Sequence, residues 1–463
     1  MRISDLISLG SRYLILGGMI AVFVTLAILI IHRLLFKGKK KISKTRVLWW
    51  GLFVCYITVV LGATLMERGT FWQNAKIMPL FYSYKAAWVN GLAVDWRNII
   101  LNICMFMPLG FLLPLGFKCF KSFWITSLIG FLLTIIIEGI QLYYHLGMFE
   151  LDDLMNNTIG TMIGFGFYAL YTKFILKRTI NQKKIILSQI PLVVTLIAFG
   201  YLFAMYHTQE LGNIPFECIL PFEKNNLSIT SNTTFSDEEE TAAVYKCVRL
   251  SKEETATFAK KLFERLGTNL DESRNDYYDE TAVFYAADRY SLWINYKGGD
   301  YRLTDFNSTF NEKLSVNMEA TEDDVKEALI KYGISIPSDV HMEINEETEQ
   351  FVFTFQNYKT DSCFLDGSIM VEYMNDGSIS SLNYGVVTCD LYKELPIISE
   401  SEAYDLLCDG YFNYQMLDEL KFQVESCKLE YIIDSKGFYQ PYYQFTCNAN
   451  DRTAILGIPA IKK

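Results

Sequence analysis

Apolar side chains dominate six stretches of the chain, residues 13–36, 47–65, 99–117, 123–145, 154–176 and 185–206. Crossing roughly 30 Å of hydrocarbon takes about 20 apolar residues, so each stretch predicts a membrane-spanning helix. The first is longer than the apolar segment of a secretory signal, carries no small-residue cleavage site and is followed at once by another span. It therefore reads as a retained helix.

After residue 207 the pattern changes to that of a water-exposed domain. Three capping boxes start amphipathic helices that glycines stop. Ser251 and Glu254 precede Phe258, Leu262, Leu266 and Gly267; Thr321 and Asp324 precede Val325, Ala328, Leu329, Tyr332 and Gly333; Ser399 and Glu402 precede Ala403, Leu406, Leu407 and Gly410. Alternating runs at 282–285, 291–296, 351–355, 370–373, 379–384, 428–433 and 442–447 predict strands, with hairpin turns at Asp376-Gly377 and Lys436-Gly437. Helix starts at 251, 321 and 399 suggest two or three related helix-plus-sheet units, an α+β arrangement. The expected organisation is a six-helix membrane domain over 1–207, a tether over 208–236 and an α+β domain over 237–463.

Charge sharpens this division. The net charge of −10 averages two unlike halves. Residues 1–207 carry 20 Lys and Arg against 7 Asp and Glu, whereas residues 208–463 carry 22 against 45. Basic side chains mark cytoplasmic loops. They collect after the first predicted span (Lys37, Lys39, Lys40, Lys41, Lys44, Arg46), after the third (Lys118, Lys121) and after the fifth (Lys173, Lys177, Arg178, Lys183, Lys184). All three loops fall on one side if every span is real. The N-terminus, the loops 66–97 and 146–153, and residues 208–463 are then extracytoplasmic. This composition excludes a disordered or collagen-like chain.

Ionisable groups inside spans are costly and mark candidate sites. Glu138 and Gln141, at i and i+3, share a helix face. Asp152 and Asp153 open the fifth span, with Asn156 and Asn157 one turn deeper and Gly160 and Gly164 continuing a small-residue stripe. Arg97, Asn98 and Asn102 open the third span, which Pro108 and Pro114 would kink. Three stretches thus place polar groups at the depth of the outer leaflet, and they are expected to face one partly hydrated pocket. The plainer reading is polar packing between helices, worth about 0.6–2 kcal/mol per contact. Paired acids at Glu138 and Asp153 could also hold a divalent cation; no other cofactor is expected. There is no Cys/His metal spacing, nucleotide-binding loop or nucleophilic serine motif, and no catalytic motif is established.

These residues resemble the VanZ-like family. The resemblance rests on Arg97, Asn98, Asn102, Pro108, Leu109 and Gly110, then Glu138 and Gln141, then Asp152, Asp153, Asn157 and Gly160, over roughly 47–175. Many members carry an arginine shortly before the Asp pair, whereas this chain has Gly147-Met148-Phe149-Glu150. The family is named for a protein conferring low-level teicoplanin resistance. The resemblance implies a multi-pass protein of the bacterial cell membrane, without defining a reaction. It implies partners in the lipid bilayer: a lipid headgroup, a lipid-linked cell-wall precursor or the glycopeptide itself, with no nucleic acid. Two alternatives stand beside this reading: a membrane enzyme modifying a lipid phosphate or glycolipid, and a sensor with an exterior ligand-binding module. The stretches 398–404 and 439–445 distantly resemble exported PepSY-like modules.

Seven of the ten cysteines lie in the acidic half (Cys218, Cys247, Cys363, Cys389, Cys408, Cys427, Cys447). An oxidising exterior permits disulfides there, but sequence does not define the pairing.

Overall fold

A computed structural model describes residues 3–36, 43–66, 77–179, 181–214, 227–359, 364–412, 420–449 and 452–462. Lys37, Lys39, Lys40 and Lys41 of the first basic loop, residues 215–226 of the expected tether, and Cys218 and Cys363 lie outside the described residues. The chain divides into two compact units, residues 1–88 with 92–210 and residues 89–91 with 211–463.

The first unit is helical. Its helices are α1 (Ile3–Phe36), α2 (Lys44–Leu61), α3 (Tyr82–Asn90), α4 (Ala93–Gly116), α5 (Phe123–Tyr143), α6 (Leu151–Phe174) and α7 (Gln182–Thr208), and a π-helical turn, Gly62–Met66, follows α2. The last residues of α3 cluster with the second unit. Among the described residues, four helices are long and apolar enough to cross a membrane: Lys44–Met66, Ala93–Gly116, Phe123–Tyr143 and Gln182–Thr208. The expected count of six is thus not reached on apolarity alone. The stretches that fall short, α1 and α6, are nonetheless helical. In α6 the physical reason is visible: Asp152, Asp153, Asn156, Asn157 and Thr161 are all buried within the unit, so the helix spends its apolarity on an interior polar stripe.

Helix α6 packs on α4 backbone to backbone. A Cβ on Gly160 would overlap the carbonyl oxygen of Ile103, one on Gly164 that of Met107, and one on Gly110 that of Thr161. Small residues permit this approach. Both prolines lie within the single helix α4. The Trp49 indole N–H donates to the Leu112 carbonyl at 2.8 Å between them. Two short strands, β1 (Ile77–Met78) and β2 (Phe149–Glu150), pair in parallel beside the start of α6.

The second unit is mainly sheet. In chain order it holds β3 (Leu227–Ser231), β4 (Thr241–Cys247), α8 (Lys252–Arg265), β5 (Asp276–Tyr277), β6 (Thr281–Ala286), β7 (Tyr290–Asn295), β8 (Tyr301–Asp305), α9 (Phe306–Thr309) and α10 (Glu322–Ile330). There follow β9 (Met342–Asn345), β10 (Gln350–Lys359), β11 (Phe364–Tyr373), β12 (Ile379–Tyr384), β13 (Val387–Pro396), α11 (Glu400–Cys408), β14 (Leu420–Ile433), β15 (Phe438–Ala449) and β16 (Arg452–Pro459). All three expected capping boxes form, at Ser251/Glu254, Thr321/Asp324 and Ser399/Glu402.

The expected separate sheet units give way to one fourteen-stranded hydrogen-bonded sheet, ordered β3-β14-β15-β4-β13-β11-β12-β8-β7-β6-β5, with β9 and β10 reached through β11 and β16 paired to β15. All its pairs are antiparallel except β3 with β14. Helices α8 and α10 cover one core around Phe284, Leu292, Phe351 and Phe353, and α11 covers a second around Phe422, Phe445 and Leu456. Between these cores, β4 and β13 are joined by the Cys247–Cys389 disulfide. Part of the expected tether belongs to this unit. Residues 227–231 are β3, and the buried Asp434 accepts from the backbone of Gly212, Lys436 and Phe438 and from the Gln440 amide.

Candidate functional site

The polar residues singled out by sequence collect around the end of the helical unit where α4 and α6 begin, but they sort into two lanes. Asp152 and Asn156 are four residues apart on α6 and share a face, as do Asp153 and Asn157; the lanes are offset by the roughly 100° between neighbouring helical residues.

The first lane holds the connection before α3. The backbone N–H groups of Phe81 and Ser83 both donate to the Asp152 carboxylate, the latter at 2.7 Å. One turn deeper, Tyr84 Oη donates to Asn156 Oδ1 at 2.6 Å. Ser83 Oγ donates to Glu150 Oε2 at 2.8 Å. Phe81 takes a left-handed backbone at φ 68°, a conformation costly for a bulky residue, and Asp152 accepts from its amide. A carboxylate receiving the free amides at a helix start is ordinary capping chemistry. Here the carboxylate comes from another helix.

The second lane faces α4 and α5. Asn102 Nδ2 of α4 donates to Asp153 Oδ1 at 2.5 Å. On α5, Glu138 is 2% exposed, and its Oε2 accepts from the Glu150 backbone at 3.2 Å. Gln141 donates to the Thr64 carbonyl of the π-helical turn at 2.9 Å. Arg97 is half-buried, whereas Asn98 is exposed on α4. The structure therefore does not bring Asn98 into the expected shared pocket, because the next residue, Ile99, takes the buried face.

Antiparallel α5 and α6 have a readable register. A Cβ on Gly130 would overlap the Thr161 side chain, so those residues lie level. One turn from that contact Thr134 comes level with Asn157, and a further turn brings Glu138 level with Asp153. Thr134 is fully buried and Asn157 is 3% exposed. Thr134 Oγ1, Asn157 Oδ1 and Asn156 Nδ2 have no hydrogen-bond partner among the described residues. Such groups are rare in native folds and cost about 1–3 kcal/mol each. Three turns of two facing helices thus carry a carboxylate pair, a buried polar pair and a close glycine contact. Among the described residues no group of three or more His, Cys, Asp or Glu side chains is arranged to hold a metal ion.

Sequence reasoning missed Ser83, Tyr84, Thr64 and Thr134. The first two lie in a segment expected to be a loop, and a lone hydroxyl residue in an apolar helix carries no spacing signal.

Helices apolar enough to span a bilayer, with a central helix whose polar stripe is buried, define a class: a helical membrane region. Residues 23–173 match the family model described as VanZ/LLP1, and every residue of the two lanes lies within that range. Protein VanZ of Enterococcus faecium is 28% identical over 111 residues, covering 22% of this chain and 63% of that protein. This chain therefore aligns with less than two thirds of that relative's length. Among solved structures, the Bacillus megaterium YpeB C-terminal domain aligns with 15% identity and a TM-score of 0.23, covering 46% of this chain and 95% of that one; at that score nothing about fold or activity follows.

Proposed function

We propose that this protein is a six-span, VanZ-like protein of the bacterial cell envelope, with its N-terminus and residues 208–463 outside the cell. In this reading Asp153, Asn157, Glu138, Asn102 and Arg97 bind a lipid headgroup or lipid-linked envelope component at the outer leaflet. Occupying or masking that component lowers access of a teicoplanin-type glycopeptide to its surface target. Asp152 and Asn156 hold the α3 connection over the same end.

The observation that carries the site is burial: Glu138, Asp153, Asn156 and Asn157 are each at least nine-tenths buried at one end of the unit, where ionisable groups are retained for function. The six-span topology draws support from Lys118, Lys121, Lys173, Lys177, Arg178, Lys183 and Lys184, which flank the opposite ends of α4 to α7. Helix α6, at 24 residues, is about 36 Å long at 1.5 Å per residue, enough to cross despite its polar stripe.

The test is Glu138→Gln and Asp153→Asn, each at wild-type membrane abundance. A charged hydrogen bond is worth about 1.5–3 kcal/mol, and every 1.4 kcal/mol is about tenfold in affinity. Each variant is therefore expected to lose most of the protection against teicoplanin that the wild-type protein confers on a susceptible host. Unchanged protection in both variants overturns the assignment.

A further inference from the structure

We propose that the group received between α5 and α6 is a hydroxyl of a glycerol or sugar headgroup, bonded by Asn157 and Thr134. This rests on the headgroup-binding reading above and narrows its ligand chemistry.

The argument starts from two buried oxygens. Asn157 Oδ1 and Thr134 Oγ1 lack hydrogen-bond partners among the described residues, and the helix register places them level, one turn inward from Glu138 and Asp153. They belong to different helices, so no local backbone feature explains both. An amide oxygen only accepts, whereas a threonine hydroxyl donates and accepts. A ligand hydroxyl completes the set: it donates its proton to Asn157 Oδ1 and accepts the proton of Thr134 Oγ1.

Competing headgroup chemistries fit less well. A phosphate dianion has no proton to offer Asn157, and its charge is repelled by the two carboxylates one turn outward. An ammonium can donate to both oxygens, but it offers no lone pair to the Thr134 proton. A hydroxyl also suits the depth. Asn157 lies six residues into α6, about 9 Å along its axis, within reach of a headgroup entering past Asp153.

Native mass spectrometry of the full-length protein, titrated with defined lipids, tests this. The probes are diglucosyl diacylglycerol (sugar hydroxyls), phosphatidylglycerol (glycerol hydroxyls), phosphatidylethanolamine (ammonium) and phosphatidic acid (phosphate alone). At least one hydroxyl lipid is expected to bind tenfold or more tightly than phosphatidic acid and phosphatidylethanolamine, and which one does so identifies the source. The near-isosteric double variant Asn157→Leu/Thr134→Val is expected to erase that preference without lowering the melting temperature, because it removes both unpaired oxygens. Thr134→Val alone, the milder change, is expected to weaken the preference several-fold and serves if the double variant does not fold.

Equal binding of phosphatidic acid, or no binding of either hydroxyl lipid, overturns the proposal. So does a preference that survives both variants, the result expected if only a buried water bridges the two oxygens. If Asp153→Asn abolishes lipid binding while the Asn157 and Thr134 variants bind normally, the headgroup site stands and the hydroxyl assignment falls.

Discussion

Asp152 and Asp153 are neighbours in sequence, yet they accept hydrogen bonds from different elements. Asp152 receives the amides of Phe81 and Ser83, while Asp153 receives Asn102. Replacing Asp152 with Ala leaves two amides without their acceptor and releases a left-handed Phe81. The expected loss is about 2–3 kcal/mol, read as a lower midpoint in denaturant titration of the purified protein. Phe81→Gly in the same background is expected to recover part of it, because glycine adopts positive φ freely. An Asp152→Ala midpoint equal to wild type would show that this contact contributes nothing. The i, i+4 pairing of each Asp with its Asn was legible in sequence. Which helix each lane meets was not, because a helix pattern defines relative angles around one axis and not the positions of its neighbours. Asn98 illustrates the limit: it is polar, sits beside Arg97 and turns outward.

At the scale of elements, the α4–α6 crossing depends on missing side chains. Gly160→Ala and Gly164→Ala each push a methyl into a carbonyl oxygen of α4, which cannot yield without parting the helices. Each is expected to abolish accumulation of folded protein, judged by monodisperse size-exclusion elution. Gly139→Ala on α5 meets nothing within 4 Å and is expected to elute as wild type. Helix ends were well announced in sequence, since a capping box is a contact between residues three apart. Strand partners were not. Nothing local tells β4 to pair with β13, whose partner cysteine lies 142 residues away, so the recurring helix starts suggested separate units where one sheet runs through.

For the molecule as a whole, the Cys247–Cys389 bond links a prediction about stability to one about location. Disulfides persist in oxidising compartments, as the proposed exterior placement requires. Burial pushes the Cys427 and Cys447 thiols up to about 12, so both stay protonated and unreactive near neutral pH. In intact cells, blocking free thiols before denaturation, then reducing and labelling, is expected to tag Cys247 and Cys389. If both are instead blocked without reduction, the exterior placement loses this support. Removing the bond with Cys247→Ala/Cys389→Ala is expected to cost on the order of 2–5 kcal/mol, since it closes a long loop. The measurement is the melting temperature of the second unit.

The charge division, the apolar stretches, the capped helices and the α6 residues of both polar lanes were determined by sequence alone, because each depends on composition or on neighbours within one or two turns. Only the tertiary structure decided that Asp152 holds α3 while Asp153 meets α4, that Gln141 bonds the Thr64 carbonyl and Asn98 is exposed, and that Thr134 comes level with Asn157. Those outcomes depend on how helices rotate and slide against one another. That choice is made by glycine contacts and buried hydrogen bonds between residues distant in the chain.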